Sequence, residues 1–324
     1  MRAFADRWWS CLRYRPARGV KLIERRAAPV SGTRWLAGTT VFGTRTPRVS
    51  RLKGGTQVST RRGTALVTGA SSGIGAGYAE RLAAQGWDTV LVARRAQRLD
   101  DLARRLREET GTTVETLVAD LSAPDDLARV VSRAAGDDIG FLLNNAGING
   151  YGPFAELEPD LLAKVLHINV LAVTALTRAA VPGMLARGDG TVVNVASQLA
   201  FAGSLPPHPL PERAVYGGTK GYVVTFTRTL AAELAATPLR IQVLCPGLTA
   251  TEFHRSRGQE PVPGRDQAVH AAGGMPVGQV VDASLAALDA DRVVCVPGLD
   301  EPALIDGLAE AEEAIRAAAR RGAS

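Results

Sequence analysis

Two hydrophobic patterns alternate along the chain from Thr64 onward. Short continuous apolar runs, typical of strands covered on both faces, are followed by longer stretches in which apolar residues recur at helical spacing. Seven runs have the strand pattern: TALVTG, DTVLVA, TVETLVAD, IGFLLNNAG, GTVVNVAS, LRIQVLCPG and DRVVCVPG. Because helical crossovers imply parallel pairing, the pattern predicts an α/β fold: a doubly wound, seven-stranded parallel sheet with helices on both faces.

The stretches between these strands predict the helices. Pro124 falls in the first turn of one of them, and the stretch over 157–188 predicts a single long helix whose final turn Pro182 should disturb. The other helical stretches are GIGAGYAERLAAQG, RAQRLDDLARRLREET, RAVYGGTKGYVVTFTRTLAAELA and MPVGQVVDASLAALDA.

A glycine-rich turn, TGASSGIG over 68–75, lies between the first predicted strand and the first helix. Glycines there permit a tight turn, and the helix N-terminus offers unpaired N–H groups to a pyrophosphate. The spacing is T-G-x-x-x-G-x-G and not the G-x-G-x-x-G fingerprint. In doubly wound sheets ligands gather at the carboxyl ends of the strands, so the turn predicts a nucleotide site there.

The segment YGGTK, over 216–220, places a tyrosine and a lysine four positions apart. On a helix Tyr216 and Lys220 would share one face. A phenol titrates near pH ~10 and exchanges protons poorly at neutral pH unless a cation favours the phenolate. Taken alone, such a pair is ordinary surface chemistry.

In combination, these motifs resemble the short-chain dehydrogenase/reductase family. The glycine spacing, NNAG after strand four, a serine after strand five and Y-x-x-x-K on the next helix occur in the family's order, from about residue 63 to about residue 300. The resemblance implies a Rossmann-like fold and an oxidoreductase. Such an enzyme interconverts a carbonyl (a ketone, aldehyde or 3-oxoacyl group) and an alcohol by hydride transfer from a nicotinamide cofactor.

The resemblance also implies four catalytic residues. Tyr216 would be the acid/base, and Lys220 would hold the nicotinamide ribose and lower the pKa of the phenol. Ser197 would hydrogen-bond the substrate oxygen. Asn169, within the long helix, would hold a water that links Lys220 to solvent.

The implied cofactor residues follow the ends of several strands. Asp120 would meet the adenine amine, and Asn144 is expected to be structural. The full implied set is Gly69, Ser71, Ser72, Gly73, Ile74, Gly75, Arg94, Arg95, Asp120, Leu121, Asn145, Ala146, Gly147, Tyr216, Lys220, Pro246, Gly247 and Thr249, with Thr251 as a further candidate.

The end of strand two predicts NADP(H) over NAD(H). Preference for NAD usually requires an acidic residue there, and Asp88 opens that strand instead, about 15–20 Å from its far end. The strand closes on Arg94 and Arg95, which could bind a 2′-phosphate, with no carboxylate to repel it. A solvated basic helix start is the alternative.

Two departures from the family pattern affect the cleft. Ser197 and Tyr216 lie 19 residues apart, and the excess is the proline-rich SLPPHPLPER, which is predicted to lie irregularly over the cleft as a lid or wall. Gly217 and Gly218 are poor helix formers and are expected to permit close approach near the ribose. The expected cleft walls, 148–156, 203–213 and 249–275, carry no dedicated charged anchor, which favours an apolar or acyl-type ketone.

Charge divides the chain into two regions. Residues 1–62 hold 15 of the 38 Lys and Arg but two of the 32 Asp and Glu, a net charge of +13, whereas the remainder, with 23 basic and 30 acidic residues, carries −7. We therefore expect residues 1–62 to be a basic, disordered extension and 63–324 to be the dehydrogenase domain. Organelle import and a basic arm for nucleic acid or an anionic membrane are the less favoured alternatives for the extension.

The remaining composition narrows the classes of function. The three cysteines are widely spaced, no continuous apolar run is long enough to cross a membrane, and the four histidines have no metal-site spacing. Ser197 lacks the G-x-S-x-G elbow of a hydrolase. We expect a cytoplasmic enzyme without a metal. The resemblance implies a homo-dimer or homo-tetramer formed through helices at 158–186 and 213–236, and the alternative function is a catalytically idle NADP-binding regulator.

Overall fold

The computed structural model describes residues 62–208, 210–253, 274–301 and 303–321. The prediction of a disordered extension over 1–62 lies outside these residues, apart from its last residue.

All seven predicted strands form one parallel sheet, which confirms the predicted fold class. The strands are β1 Thr64–Thr68, β2 Asp88–Ala93, β3 Val114–Val118, β4 Ile139–Asn144, β5 Thr191–Val195, β6 Arg240–Leu244 and β7 Val294–Cys295. Their order across the sheet is β3-β2-β1-β4-β5-β6-β7. The direction of winding therefore reverses between β1 and β4, where such sheets bind ligands at the carboxyl ends of the strands.

Eight α-helices flank the sheet among the described residues. They are α1 Gly73–Ala84, α2 Ala96–Thr110, α3 Pro124–Ala134, α4 Pro159–Leu166, α5 Val173–Arg187, α6 Ala214–Glu233, α7 Val277–Asp289 and α8 Ala303–Arg321. The hydrophobic pattern did not single out α8, which has no buried residue. Pro124 lies at the start of α3 as predicted.

Two layers of side chains form the core, one on each face of the sheet. Tyr78 and Leu82 of α1 pack with α2 and α7 on one face, whereas Leu176 and Met184 of α5 pack with α3 and α4 on the other. Val223 of α6 packs in a third cluster against β6. Strand β1 is buried along its whole length, as its continuous apolar run predicted.

The predicted single helix over 157–188 is interrupted. A π-helical segment, His167–Ala172, separates α4 from α5, and the prediction of one regular helix is wrong at that point. Pro182 lies inside α5, which continues to Arg187 and ends at Gly188 with φ +72°. The proline therefore does not end the helix.

The helical run Pro159–Arg187 is long and apolar enough to cross a membrane by length and composition, and 44% of its most apolar window is buried. Leu176 and Met184 within it are buried in the sheet core. Packing against the sheet accounts for that part of its apolar composition.

Cys245 and Cys295 are both buried free thiols.

Candidate functional site

The glycine-rich turn between β1 and α1 has a geometry that only glycine fits. Gly69 and Gly73 have φ of +67° and +58°. A Cβ on Gly69 would lie 2.6 Å from Nδ2 of Asn145, and one on Gly75 would lie 2.4 Å from the carbonyl oxygen of Gly69. The turn is therefore as tight as its sequence predicts.

The first backbone N–H groups of α1 have no side-chain cap to accept their hydrogen bonds. Ser72 is the N-cap residue in extended conformation and makes no side-chain cap hydrogen bond, and no acidic residue lies in the first turn. Backbone N–H groups around Gly73 and Ile74 therefore have the free donors and positive dipole that bind phosphate. This cradle fits the pyrophosphate of a dinucleotide.

NNAG lies at the end of β4, directly beside this turn. Asn145 Nδ2 donates to the carbonyl oxygen of Thr68 at 3.0 Å, and Thr68 Oγ1 accepts the Asn145 N–H at 2.9 Å and the Ala146 N–H at 3.1 Å. Asn144 donates to Oδ1 of Asn194 at 2.8 Å in the core, which is the structural role expected of it. The Asn145 side chain thus fixes the turn itself.

Asp120 and Leu121 follow β3 at the same edge of the sheet. Asp120 Oδ1 accepts the Ser122 N–H at 2.9 Å, while Oδ2 lies 4.0 Å from Arg94 Nη1 and 3.9 Å from Lys164 Nζ. Burial alone would raise the pKa of Asp120, but the Ser122 hydrogen bonds and the two cations together lower it. Leu121 is buried in the core.

Arg95 lies against the glycine-rich turn, where the expectation of no nearby carboxylate is wrong. Its guanidinium donates to Ser71 Oγ at 2.9 Å and Ser72 Oγ at 2.6 Å, and its Nη1 donates to Glu252 Oε2 at 2.9 Å. Arg98 Nη1 donates to the same Glu252 oxygen at 2.7 Å. Hydrogen bonds from Arg98 and Arg95 lower the pKa of Glu252 to about 2.

The sequence alone did not predict that Glu252 pairs with Arg95, because 157 positions separate the two residues. Inspecting the end of β2 alone could not find a partner supplied by the segment after β6.

Tyr216 and Lys220 lie on one face of α6, as their spacing predicts. Both are buried, with 5% and 4% of their surface exposed. Lys220 Nζ lies 5.7 Å from the centroid of the Tyr216 ring and donates to the Val195 carbonyl oxygen at 2.8 Å. The pair lies at the carboxyl end of β5, where the resemblance places it.

The predicted lowering of the phenol pKa is not present in this structure. Burial raises the pKa of Tyr216, the neighbouring Tyr151 raises it further, and a hydrogen bond with Ser197 opposes them only in part. Burial also lowers the pKa of Lys220 to about 8. Desolvation, which disfavours both charged forms, thus outweighs the attraction of the ammonium for the phenolate.

Ser197 precedes the 3₁₀ segment Gln198–Phe201. Its Oγ accepts the Leu199 N–H at 3.2 Å, and the side chain lies close enough to Tyr216 to lower the pKa of the phenol. One hydroxyl therefore meets the phenol at the rim of the sheet.

Asn169 occupies the π-helical segment and is completely buried. Its Oδ1 accepts the Ile148 N–H at 3.0 Å, and its Nδ2 donates to the Ile148 carbonyl oxygen at 3.0 Å and to Thr219 Oγ1 at 3.1 Å. A Cβ on Gly147 would lie 3.3 Å from Asn169 Oδ1 and 3.5 Å from Lys220 Nζ. Both N–H groups of the amide are used, so the side chain could hold a water only as an acceptor.

The segment after β6 runs over the same edge. The Gln198 N–H donates to the Pro246 carbonyl oxygen at 2.9 Å, and Thr249 Oγ1 donates to the Gly247 carbonyl oxygen at 3.1 Å. Thr251 lies over the glycine-rich turn: its Cγ2 would be 2.9 Å from a Cβ on Gly73.

Two aromatic residues that the sequence reasoning did not single out surround Tyr216. The Tyr151 ring meets it edge-on, with centroids 5.1 Å apart, and the Phe253 ring lies 5.8 Å away. Burial raises the pKa of Tyr151 to about 12, so its hydroxyl stays neutral at pH 7. Both residues lie in segments that were expected to form the cleft walls. An aromatic residue within such a segment is the sequence signal that could have identified them.

The proline-rich segment before α6 is irregular in its described residues, 204–208 and 210–213, as predicted. Arg213 is 9% exposed, and its guanidinium donates to the carbonyl oxygens of Ala202, Leu205 and Pro211. The Gly152 N–H donates to the carbonyl oxygen of residue 212 at 3.0 Å. The segment is thus tied to the wall that carries Tyr151.

Gly217 and Gly218 do not provide a close approach within the protein. A Cβ on Gly217 would make an ordinary 3.5 Å contact with the Leu199 carbonyl oxygen, and one on Gly218 would meet nothing within 4 Å. Both residues lie within the regular helix α6. The structure gives no steric reason for glycine at 218.

Comparison with known proteins agrees with this geometry. A family model described as short chain dehydrogenase matches residues 63–261. The very-long-chain 3-oxoacyl-CoA reductase-B of Danio rerio is 33% identical over 60% of this chain and 61% of its own length. The very-long-chain 3-oxoacyl-CoA reductase of Mus musculus is 34% identical over 58% and 60%. The chain therefore spans about three fifths of the length of the curated relatives it matches.

Solved structures match more of the chain. A short-chain dehydrogenase from Sphingobium yanoikuyae in complex with NADPH is 37% identical, with a TM-score of 0.70, covering 79% of this chain and 95% of its own. A bulky-bulky ketone specific alcohol dehydrogenase from Comamonas testosteroni is 34% identical, with a TM-score of 0.69, covering 80% and 95%.

Proposed function

The chain belongs to the short-chain dehydrogenase/reductase family, and we propose that it is an NADP(H)-dependent oxidoreductase that interconverts a carbonyl and an alcohol. The observation that carries the proposal is the convergence of three groups at the rim of β5. Ser197 lies close enough to the Tyr216 phenol to lower its pKa, and the Lys220 ammonium lies 5.7 Å from the phenol ring.

When bound in this cradle, a nicotinamide cofactor would supply the hydride for the carbonyl carbon. Ser197 and Tyr216 hydrogen-bond the carbonyl oxygen and orient it. As the C=O π electrons move to that oxygen, it takes the proton of the Tyr216 hydroxyl, which leaves a phenolate beside Lys220. The phenol is protonated at neutral pH, and because burial raises its pKa it is a weaker acid than a free tyrosine, so the transfer depends on stabilisation of the phenolate by the Lys220 ammonium.

Lys220 and Asn169 support this transfer. The Lys220 ammonium stabilises the phenolate once the proton has left. Asn169 holds the chain at Ile148 and Thr219 through three hydrogen bonds. The remaining lone pair of Asn169 Oδ1 could accept a water, and the proposed relay to solvent through that water would return the proton.

The cofactor cradle is supported by the glycine-rich turn and the uncapped start of α1. Asp120 and Gly147 border the adenosine and ribose ends, respectively. The preference for NADP(H) is supported by Arg94, Arg95 and Arg98, three guanidiniums near the end of β2. A solved relative of 37% identity carries NADPH.

The proposed substrate is a bulky, largely apolar ketone or 3-oxoacyl compound. Tyr151 and Phe253 give the reacting centre aromatic walls. Phe154 and Leu248, in the same two segments, are 66% and 45% exposed. Relatives named as very-long-chain 3-oxoacyl-CoA reductases and as a bulky-bulky ketone alcohol dehydrogenase point the same way.

Replacing the acid/base tests the function. Tyr216→Phe should lower kcat for ketone reduction by roughly 10²–10⁴-fold, since proton transfer contributes about that much, while NADPH binding, followed by fluorescence, stays within twofold. Tyr222→Phe is the matched control: it removes an exposed hydroxyl from the same helix, one that lies 2.9 Å from Thr174 Oγ1. Equal turnover of Tyr216→Phe and wild type would refute the assigned role. A wild type that binds NADPH but turns over no ketone or alcohol would favour the idle regulator.

A homo-oligomer is part of the proposal. Leu166, Leu185 and Tyr222, on α4, α5 and α6, are 50%, 40% and 39% exposed, which would leave apolar surface uncovered on a monomer. Light scattering coupled to size exclusion tests the predicted dimer or tetramer. The cytoplasmic location stays a prediction.

A further inference from the structure

The Glu252 carboxylate is paired with Arg95 and Arg98, two arginines that would hold the 2′-phosphate of the cofactor. Its carboxylate accepts hydrogen bonds from Arg95 Nη1 at 2.9 Å and from Arg98 Nη1 and Nη2 at 2.7 and 3.3 Å. The Glu252 side chain is 40% exposed and borders a cavity of about 620 Å³ that Arg98 also lines. The ion pair is therefore open to solvent and has space beside it.

Most N–H groups of the Arg95 guanidinium already donate hydrogen bonds within the protein. Its Nε and Nη2 donate to Ser71 and Ser72 on the glycine-rich turn, which leaves Nη1 as the group that faces Glu252. A phosphate that approached Arg95 and Arg98 would meet the Glu252 carboxylate at the same atoms. Because like charges repel at such distances, the two anions cannot both occupy these donors.

Arg94 does not share this arrangement. It lies 4.0 Å from Asp120, on the other side of the strand end, and it makes no contact with Glu252 among those described. The sequence predicted that Arg94 and Arg95 together bind the 2′-phosphate. Such binding therefore requires that the Arg95–Glu252 ion pair breaks.

We propose that Glu252 competes with the 2′-phosphate of the cofactor for Arg95 and Arg98, and so limits the preference of the protein for NADP(H) over NAD(H). The inference rests on the proposed nicotinamide cofactor. In the NAD(H) complex the Glu252 carboxylate stays on the two arginines and can accept a hydrogen bond from the ribose 2′-hydroxyl. In the NADP(H) complex the phosphate replaces it.

Titration calorimetry with fragments tests this without turnover. Adenosine 2′,5′-bisphosphate carries the 2′-phosphate, and adenosine 5′-monophosphate lacks it. Glu252→Gln should bind the bisphosphate about tenfold more tightly than wild type, the size of one charge contact near a surface, and the monophosphate within twofold or more weakly. Asp282→Asn is the control, because it also removes a carboxylate paired with an arginine, at 2.9 Å from Arg81 Nε; it should change neither affinity.

Arg98 supplies the second arm of the test. If the Glu252 carboxylate is bound to Arg98 in wild type, Arg98 contributes less to phosphate binding there. The substitution Arg98→Gln should then weaken bisphosphate binding more in the Glu252→Gln background than in wild type. Additive effects of the two substitutions would overturn the proposal. Unchanged or weaker bisphosphate binding by Glu252→Gln alone would do the same.

These outcomes are separable from failure of the proposed function. If intact NADP⁺ and NAD⁺ both fail to bind wild type, the cofactor assignment is wrong. If wild type binds them and Glu252→Gln leaves the ratio of their dissociation constants unchanged, Glu252 does not compete and the cofactor assignment stands.

Discussion

At the scale of single residues, Lys220 carries a charge that burial makes unfavourable. Its ammonium is 4% exposed and makes one described hydrogen bond, to the Val195 carbonyl oxygen. Burial lowers its pKa from 10.5 to about 8, which corresponds to a cost of about 3 kcal/mol for carrying the charge. This cost is the consequence of burying a cation beside the Tyr216 phenol.

The lowered pKa predicts how stability depends on pH. Between about pH 8 and 10.5 the unfolded chain keeps the Lys220 proton and the folded chain releases it, so stability rises with pH across that window. Relative to Lys220→Met, the free energy of unfolding of wild type should therefore rise by about 2 kcal/mol from pH 7 to pH 9.5. Urea denaturation of both proteins at both pH values measures it, and other titrating groups cancel in the difference.

Lys164→Met is the control for this experiment, because it removes a lysine on α4 whose side chain is 41% exposed. A difference between Lys220→Met and wild type that stays flat with pH would show that burial does not depress the Lys220 pKa.

The same scale shows what sequence could and could not predict. Tyr216, Lys220 and Ser197 were found because motif spacing along the chain carries their arrangement. Glu252 and Tyr151 were not singled out, because their positions depend on loops that meet only in the folded protein. A spacing of four residues also says nothing about desolvation, which raises the pKa of Tyr216 in this structure.

At the scale of elements, the long helix over 157–188 shows a similar limit. Its apolar spacing is helical throughout, so the pattern could not distinguish one regular helix from α4, a π-helical segment and α5. The hydrogen bonds of Asn169 to Ile148 and Thr219 hold its side chain within that segment. π-Helical segments occur frequently at functional sites, and this one carries a candidate site residue.

Gly218 offers a stability prediction within α6. Because a Cβ there meets nothing within 4 Å, Gly218→Ala should raise the free energy of unfolding by about 0.5–1 kcal/mol, through helix propensity and a less flexible unfolded chain. Chemical denaturation measures the gain. Gly190→Ala is the opposite control: its Cβ would lie 2.4 Å from Met184 Cγ, so it should destabilise by about 1–3 kcal/mol. A loss of cofactor affinity in Gly218→Ala would restore the expectation of close approach near the ribose.

Arg213 anchors the proline-rich segment, and its removal should loosen that element. Arg213→Ala deletes donors to three backbone carbonyl oxygens, so we expect a loss of about 2–3 kcal/mol and faster proteolysis within 203–212. Limited digestion followed by mass spectrometry locates the cuts. Arg178→Ala, on α5, is the comparison. Unchanged cleavage of Arg213→Ala would show that other contacts hold the segment.

At the scale of the whole molecule, the described sheet accounts for the position of the predicted site residues that follow its strands. The carboxyl ends of β1 to β6 bring the turn, the arginines, NNAG, Ser197 and Thr249 to one edge. This much follows from strand order alone, which parallel crossovers dictate. The basic N-terminal region lies outside the described residues, and its role is still the hypothesis drawn from its composition.

That hypothesis predicts the behaviour of a chain lacking residues 1–61. The truncated chain keeps all candidate site residues, which fall between 68 and 252, and holds 24 basic and 30 acidic residues, so its net charge is −6 and not +6. We expect its NADPH affinity to stay within twofold of the full chain and its unfolding midpoint in urea to be unchanged. If the removed region is a nucleic-acid arm, the full chain should bind single-stranded RNA with an affinity that falls steeply between 50 and 200 mM salt, by about 300-fold for six phosphate contacts, and the truncated chain should not bind it. Weak binding by both chains at 200 mM salt would favour a dispensable extension, whereas loss of NADPH binding on truncation would show that the basic region belongs to the enzyme itself.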